Sequence, residues 1–269
     1  MALRRHSPFP IPHHSAIGTR HSEIIIDLPP PSPYHTPRME AGITLFIPVY
    51  NEEAILDRNV RTVRAHLVRI GLPFEVILGS NGSTDRTVEI GQALAKEFPD
   101  LVFFHVPQRG PGRAFAEALR RARYEFFITL DADLSFDMAF VDDAARGLAD
   151  HDAVVGSKGV GTQKRPLLRI VASNGFIWMT NLLLRMPYRD YAIGAKAYRT
   201  EKIRPFVDMV DHHTFYTQQM LYQLTRTGGR IVEIPVQCED RRASRFNLLH
   251  EGFYRYGKLF ALWFRSWFR

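Results

Sequence analysis

The chain has 269 residues, 45% of them hydrophobic, which is enough to bury one large α/β core. A formal charge of +7 favours anionic partners such as nucleotide phosphates, acidic lipid or nucleic acid. The single cysteine, Cys238, excludes an intrachain disulfide. No run nears the ~18 consecutive apolar residues of a membrane span, and prolines and histidines interrupt the N-terminus where a secretory signal would be apolar. A cytoplasmic protein is the expectation.

Residues 1–40 are rich in Pro, His and Ser and have no periodic apolar face, so they are expected to form a flexible segment, with Ile24–Ile26 as a possible edge strand. Ile43–Ile47 then reads as a buried strand ended by Pro48, which has no N–H for a central ladder. Asn51-Glu52-Glu53 opens an amphipathic helix, with Asn51 as its cap; Ile55, Val60, Val63, Leu67 and Ile70 keep its period and Gly71 stops it. Phe74–Leu78 is a second strand. The polar turn Ser80-Asn81-Gly82-Ser83-Thr84-Asp85 leads into a helix from about Arg86 to Phe98. Leu101–Val106 is a third strand, followed by Arg109-Gly110-Pro111-Gly112-Arg113 and an alanine-rich helix. Glu125–Thr129 is a fourth strand, and Asp131-Ala132-Asp133 follows it directly.

Strand–helix alternation with short connections predicts an α/β fold: a mostly parallel, Rossmann-like sheet with helices on both faces. Ligands bind such a sheet where its strands end, and four polar loops follow strands here: Tyr50-Asn51-Glu52, Ser80–Asp85, Gly110–Arg113 and Asp131-Ala132-Asp133. Two carboxylates one residue apart at a strand's end are costly to bury unpaired and suit Mg²⁺ or Mn²⁺ shared with substrate phosphates. The plainer alternative is a solvated acidic turn. Likewise Asn51 and Asp85 could be only helix caps, and Gly110 and Gly112 only turn glycines, although two glycines and Arg113 before a helix also suit a phosphate. Neither Gly-x-x-x-x-Gly-Lys-Ser/Thr nor Gly-x-Gly-x-x-Gly after the first strand occurs, which argues against P-loop and dinucleotide sites.

Ile47-Pro48-Val49-Tyr50-Asn51-Glu52-Glu53, Asn81-Gly82-Ser83-Thr84-Asp85, Arg109–Ala114 and Asp131-Ala132-Asp133-Leu134 resemble, in order and spacing, the family 2 glycosyltransferases with the GT-A fold. The nearest branch in pattern is the dolichyl-phosphate mannose and glucose synthases, and the likeness runs from about Ile43 to Arg245. It implies an inverting, metal-dependent enzyme moving a hexose from a nucleoside-diphosphate sugar to a polyprenyl phosphate. The alternatives are a soluble or polysaccharide acceptor, or a binding protein without turnover. By resemblance, Pro48, Tyr50 and Glu52 line the base and ribose, and Asn81, Asp85, Gly110, Arg113 and Ala132 complete the donor site. Asp131 and Asp133 hold Mg²⁺ or Mn²⁺ on the diphosphate, over which Arg241 and Arg245 close. Lys158, Arg169 and Ser173 take the acceptor phosphate, while Asp190 is a general base or acceptor contact. Lys158 and Arg169 have a plainer alternative as the basic face of a solvated helix. Three departures stand out: Ser80-Asn81 where the family often has Asp-Asp, Ser135 where a Gln is common, and no Gln-x-x-Arg-Trp of processive synthases.

The domain division expected is 1–40, a catalytic domain at 41–245 and a C-terminal amphipathic helix at 246–269. That last stretch interleaves Phe253, Tyr254, Tyr256, Phe260, Trp263, Phe264, Trp267 and Phe268 with Arg255, Lys258, Arg265 and Arg269. Such a pattern suits a helix lying on an anionic membrane, here the cytoplasmic face, and equally one docked on the sheet or in a homodimer. Aromatics among cations can also stack on nucleic acid, which nothing else in the chain supports.

Overall fold

The structure is a computed structural model that describes residues 39–135, 137–164, 167–191, 193–239 and 248–267. The expected edge strand at Ile24–Ile26 lies outside them, as do Arg241 and Arg245. Side chains of residues 159–169, Arg169 among them, are also outside the described set.

The elements run β1 (Glu40–Val49), α1 (Leu56–Ile70), β2 (Phe74–Asn81), α2 (Thr87–Glu97), β3 (Leu101–Val106), α3 (Pro111–Arg121), β4 (Tyr124–Thr129), α4 (Ala139–Gly147), β5 (Ala153–Lys164) and α5 (Leu167–Leu184). There follow β6 (Lys196–Arg199), α6 (Thr200–Ile203), a 3-10 turn (Arg204–Met209), α7 (Tyr216–Arg226), β7 (Ile231–Glu239) and α8 (Leu248–Ser266). Seven strands form one sheet in the order β3-β2-β1-β4-β6-β5-β7. The sheet is mixed: β6 runs antiparallel to both β4 and β5, and the other pairings are parallel.

Both faces are buried, so strands read as continuous apolar runs with alternate residues going to opposite cores. Phe46 and Phe127 stack at 6.0 Å on one face and meet Phe115 of α3 edge-on, and Phe115 lies 4.7 Å from Tyr216 of α7. Leu45 and Ile47 enter the opposite core with Val60, Val63 and Leu67 of α1. Gly71 ends α1 in the left-handed conformation, as expected.

Two expectations are corrected. Pro48 does not end β1 but pairs with Gly79 of β2 inside the strand. The β4 register stops at Phe46↔Thr129, so the flank of β1 beside Pro48 has no described strand asking for an N–H. Asn51 does not cap α1, which starts five residues later behind a turn in which Ile55 and Leu56 N–H both donate to the Glu52 carbonyl.

Candidate active site

The carboxyl ends of β1, β2 and β4 lie at one edge of the sheet. Antiparallel β6 adds its first residue there, because Lys196 pairs with Thr129, the last residue of β4. Leading out of β1 and β2, two loops are laced together amide by amide. The N–H groups of Asn51, Glu52 and Glu53 donate to Ser83 Oγ (3.2 Å), Thr87 Oγ1 (2.7 Å) and Asp85 Oδ2 (3.2 Å). Asn51 takes a left-handed φ of 53°, which asparagine tolerates, and its side-chain oxygen accepts the Thr84 N–H at 2.7 Å. Burial alone would raise the Asp85 carboxyl, but hydrogen bonds from Thr87 and the Glu53 amide hold it below its usual range.

Behind this lacing is a crevice of about 530 Å³ lined by Tyr50, Asn51, Glu52, Glu53, Ala54, Asp85 and Arg109. Tyr50, Glu52 and Asp85 thus come together, joined by Arg109, whose guanidinium lies 4.1 Å from the Tyr50 ring centroid. Arg109 was not among the residues expected to bind; its place on the third strand-end loop was the available signal. Arg113 sits elsewhere, in a separate cleft beside β3 with His105, Glu117 and Arg120.

The glycine-rich segment also differs from a phosphate cradle. Gly112 and Arg113 N–H donate to the His213 (3.1 Å) and His212 (3.2 Å) carbonyls, and Gly110 N–H goes to Asn81 Oδ1 (3.2 Å). A Cβ on Gly112 would lie 1.8 Å from the Asp211 carbonyl oxygen, and one on Gly110 2.3 Å from that of His212. The glycines allow close backbone packing, and the amides expected to face a phosphate already have protein partners. Asn81 is buried with its amide committed at both ends, since its Nδ2 donates to the Val49 carbonyl at 3.0 Å. It braces three loops and does not face the crevice as a base reader.

After β4 the chain turns sharply. Leu134 adopts φ 49° while its N–H bonds the Asp131 carbonyl, and Ser135 N–H donates to Asp133 Oδ1 at 3.1 Å. Strain of this kind persists where its surroundings over-determine it. Asn59, buried on α1, donates to the Ala132 carbonyl at 2.9 Å, a brace not foreseen from the sequence. Asp131 accepts the Gly194 N–H at 3.3 Å and lies so close that a Cβ on Gly194 would be 2.2 Å from Asp131 Oδ1. The Asp131 side chain is half-buried. Burial raises its carboxyl above the usual range, the charge of Asp133 raises it further, and Lys158 and Lys196 offset part of this.

The residues expected on the acceptor side are partly brought together. Lys158 Nζ lies 3.3 Å from Asp190 Oδ2, and Asp190 Oδ1 accepts the Ile193 N–H at 3.1 Å. Asp190, buried and ion-paired, orients Lys158 and the Ile193 amide; in this arrangement it does not stand open as a general base. Lys196 is buried, and desolvation pushes it down to about 8. Its Nζ donates to the Ile193 carbonyl. A lysine inside the apolar run Ile193–Tyr198 was the visible signal for this second cation. Ser173 is half-buried on α5.

The residues fit a divalent cation in one respect: two neighbouring carboxylates, one raised by burial and by the other, are an electrostatic deficit that a cation would relieve. Among the described residues no group of three acidic, histidine or cysteine side chains could hold a metal. Such an ion would therefore rest on Asp131 and Asp133 plus substrate oxygens, a common arrangement for Mg²⁺.

The chain is 31% identical over 218 residues to the glycosyltransferase AglD of Haloferax volcanii, covering 78% of this chain and 35% of that protein. It is 28% identical over 179 residues to an undecaprenyl-phosphate 4-deoxy-4-formamido-L-arabinose transferase of Pseudomonas aeruginosa, covering 64% and 51%. The chain thus spans roughly a third to a half of the length of these relatives. Glucosyl-3-phosphoglycerate synthase of Mycobacterium tuberculosis, solved with Mn²⁺, UDP-glucose and phosphoglyceric acid, superposes with a TM-score of 0.62 at 17% identity, covering 82% of this chain and 79% of that one. TarS of S. aureus superposes with a TM-score of 0.53 at 20% identity, covering 82% and 65%. The mostly parallel sheet with its reversed strand is the GT-A fold. A family model described as glycosyl transferase family 2 matches residues 44–253, and the chain belongs to that family.

Proposed function

We propose that this chain carries the catalytic domain of an inverting glycosyltransferase that moves a hexose from a nucleoside-diphosphate sugar to a polyprenyl phosphate, with Mg²⁺ or Mn²⁺ held by Asp131 and Asp133. The observation that carries the reading is the convergence of three strand-end loops on one crevice, with a mutually repelling carboxylate pair at the end of β4. Tyr50, Glu52, Asp85 and Arg109 line the nucleoside end of the donor site. The divalent ion, when bound, supplies positive charge for the departing diphosphate. Lys158, aimed by Asp190, faces the acceptor side together with buried Lys196. Both relatives and fold neighbours inform the substrates: one relative is named for an undecaprenyl-phosphate acceptor, and one neighbour was solved with UDP-glucose.

An acceptor phosphate is already ionised at neutral pH. Its oxygen forms the new bond to the anomeric carbon as the bond to the diphosphate breaks, and the electron pair leaves with the nucleoside diphosphate. No proton has to be removed, which accords with Asp190 being tied up in an ion pair. A single in-line displacement inverts the anomeric carbon. Positioning and charge stabilisation are then the protein's whole contribution. The test is release of nucleoside diphosphate from UDP- and GDP-sugars with Mn²⁺, in parallel with undecaprenyl phosphate, phosphoglycerate or no acceptor. Release stimulated by the polyprenyl phosphate alone is expected. Stimulation only by the soluble acceptor replaces the acceptor assignment, and no release with any donor rejects the enzyme.

A lipid acceptor calls for a membrane-facing surface. Among the described residues no helix is long and apolar enough to cross a membrane. On α8, Phe253, Phe260, Phe264 and, just beyond, Trp267 are exposed large apolar side chains; α5, which packs on α8 through Phe176 and Tyr256, exposes Val171, Trp178 and Leu182. Apolar rings among Arg and Lys fit an interfacial helix on anionic lipid. Replacing Phe253, Phe264 and Trp267 together by serine is expected to abolish flotation with phosphatidylglycerol vesicles. Unchanged flotation removes the membrane role, and a shift from dimer to monomer in sedimentation would make the same face a subunit contact.

A further inference from the structure

The turn that precedes α7 carries a buried carboxylate that gathers several partners. Asp211, whose side chain is 5% exposed, accepts the Tyr254 hydroxyl at 2.6 Å (Oδ2) and 2.8 Å (Oδ1). Its Oδ2 also meets Lys258 Nζ at 3.0 Å, while Oδ1 takes the His213 and Phe215 N–H groups at 3.0 and 3.3 Å. Tyr254 and Lys258 belong to α8, one turn apart on one face, so this carboxylate pins the C-terminal helix to the turn 211–215. A second stitch lies beside it: Thr214 Oγ1 bonds Glu251, which also pairs with Arg255 at 2.8 Å. The His213 ring packs edge-on against Tyr254 at 5.3 Å.

The backbone of the same turn faces the opposite way, onto the start of α3. His212 and His213 carbonyls take the Arg113 and Gly112 N–H groups, and Gly110 and Gly112 are the residues whose missing Cβ atoms make room for the turn. One residue upstream is Arg109, stacked on Tyr50 in the donor crevice, and Gly110 N–H is anchored to Asn81, the brace between β1 and β2. An unbroken series of direct contacts therefore leads from α8 through Asp211, the 211–213 carbonyls and Gly110–Gly112 to the wall of the donor pocket.

We infer that Asp211 is a positioning residue for donor binding: by fastening α8 to the 211–215 turn it sets the placement of Arg109 against Tyr50. Two features favour this over general scaffolding. The turn presses on α3 through backbone atoms at glycine positions, where no side chain can adjust to take up a displacement. Arg109, moreover, stacks on Tyr50 and is bonded directly to Gly110, so a shift at Gly110 is passed on to the guanidinium. The inference rests on reading the 530 Å³ crevice as the nucleotide pocket.

The experiment measures binding of UDP and of GDP, each with Mn²⁺, by calorimetry to the full chain, without turnover. Asp211→Asn removes the carboxylate that accepts from Tyr254 and Lys258; Tyr254→Phe removes one hydroxyl; Gly112→Ala intrudes on the same contact from the other side. Each is expected to weaken binding of whichever nucleotide the wild type takes by about three- to thirtyfold. Asp211→Asn combined with Gly112→Ala is expected to be no worse than the stronger single, because both break one contact. Arg109→Ala is expected to match that loss and to gain nothing further from Asp211→Asn. Wild-type affinity in folded Asp211→Asn or Tyr254→Phe protein, or losses that multiply in the double variant, overturns the inference; should Asp211→Asn fail to fold, Tyr254→Phe decides. If the wild type itself binds neither nucleotide, the pocket reading has failed, an outcome distinct from the others.

Discussion

Asp131→Asn is expected to cripple sugar transfer and at the same time to raise the melting temperature of the metal-free protein. The two effects share one cause. The half-buried Asp131 carboxyl is raised by desolvation and by the charge of Asp133, so in the absence of a cation its ionised form is held in an unfavourable place. Asparagine keeps the side chain's shape and its oxygen for the Gly194 N–H while removing the charge. What it cannot do is meet a cation carrying a diphosphate. Loss of that stabilisation should lower kcat/KM by about two to three orders of magnitude, the scale of removing one preorganised electrostatic group. Asp133→Ala should lose activity to a similar degree. Its stability should change less favourably, because Asp133 also accepts the Ser135 N–H in a turn where Leu134 is left-handed. Thermal melts with and without Mn²⁺ give the check: the ion should stabilise the wild type and leave Asp131→Asn unmoved. A destabilised Asp131→Asn protein with near-normal turnover would contradict both halves.

Gly194→Ala, one methyl group, is expected to cost about a hundredfold in kcat with a cooperative melt retained. A Cβ at this position falls 2.2 Å from Asp131 Oδ1 and 2.4 Å from its carboxyl carbon, so the acid must swing away or the 190–195 segment must retreat. Displacement of a reacting group by about 1 Å is enough for a loss of that size. The backbone of Gly194 is not in the left-handed region, so the alanine carries no conformational penalty of its own. The prediction is therefore specific to the contact: Gly194→Ala should be relieved by Asp131→Gly in stability, though not in activity. Turnover of Gly194→Ala within a factor of two of the wild type would mean that Asp131 is not where the chemistry occurs.

Much of this was visible in the residues. The strands at Ile43–Ile47, Phe74–Leu78, Leu101–Val106 and Glu125–Thr129 could be read because both faces of a parallel sheet are buried, which yields short unbroken apolar runs. Asp131 and Asp133 stood out because two carboxylates directly after such a run are hard to place elsewhere. The reversal of β6 was not readable, since four residues, Lys196–Arg199, carry no mark of strand direction. Gly110 and Gly112 left two readings open for a definite reason: glycine before a helix serves equally an anion cradle and the close approach of another backbone. Only the position of the 211–213 carbonyls, some hundred residues away in sequence, separates the two. Arg109 and Lys196 were missed because their significance lies in neighbours brought by tertiary structure, a ring in one case and a low-dielectric site in the other.

The reversed strand has a consequence for how such a domain can diversify. Tyr50, Asp85, Arg109, Asp131 and Asp133 all come from the first half of the chain, whereas Lys158, Asp190, Gly194 and Lys196 come from the stretch that runs into and along β5 and β6. Because β6 arrives from the opposite direction, its leading end abuts β4 and sets Gly194 against the acidic turn. Drift in the later segment is thus felt at the acidic turn through Gly194 and at the crevice beside Tyr50 through the 211–213 carbonyls, so the two halves change together and not as separate blocks.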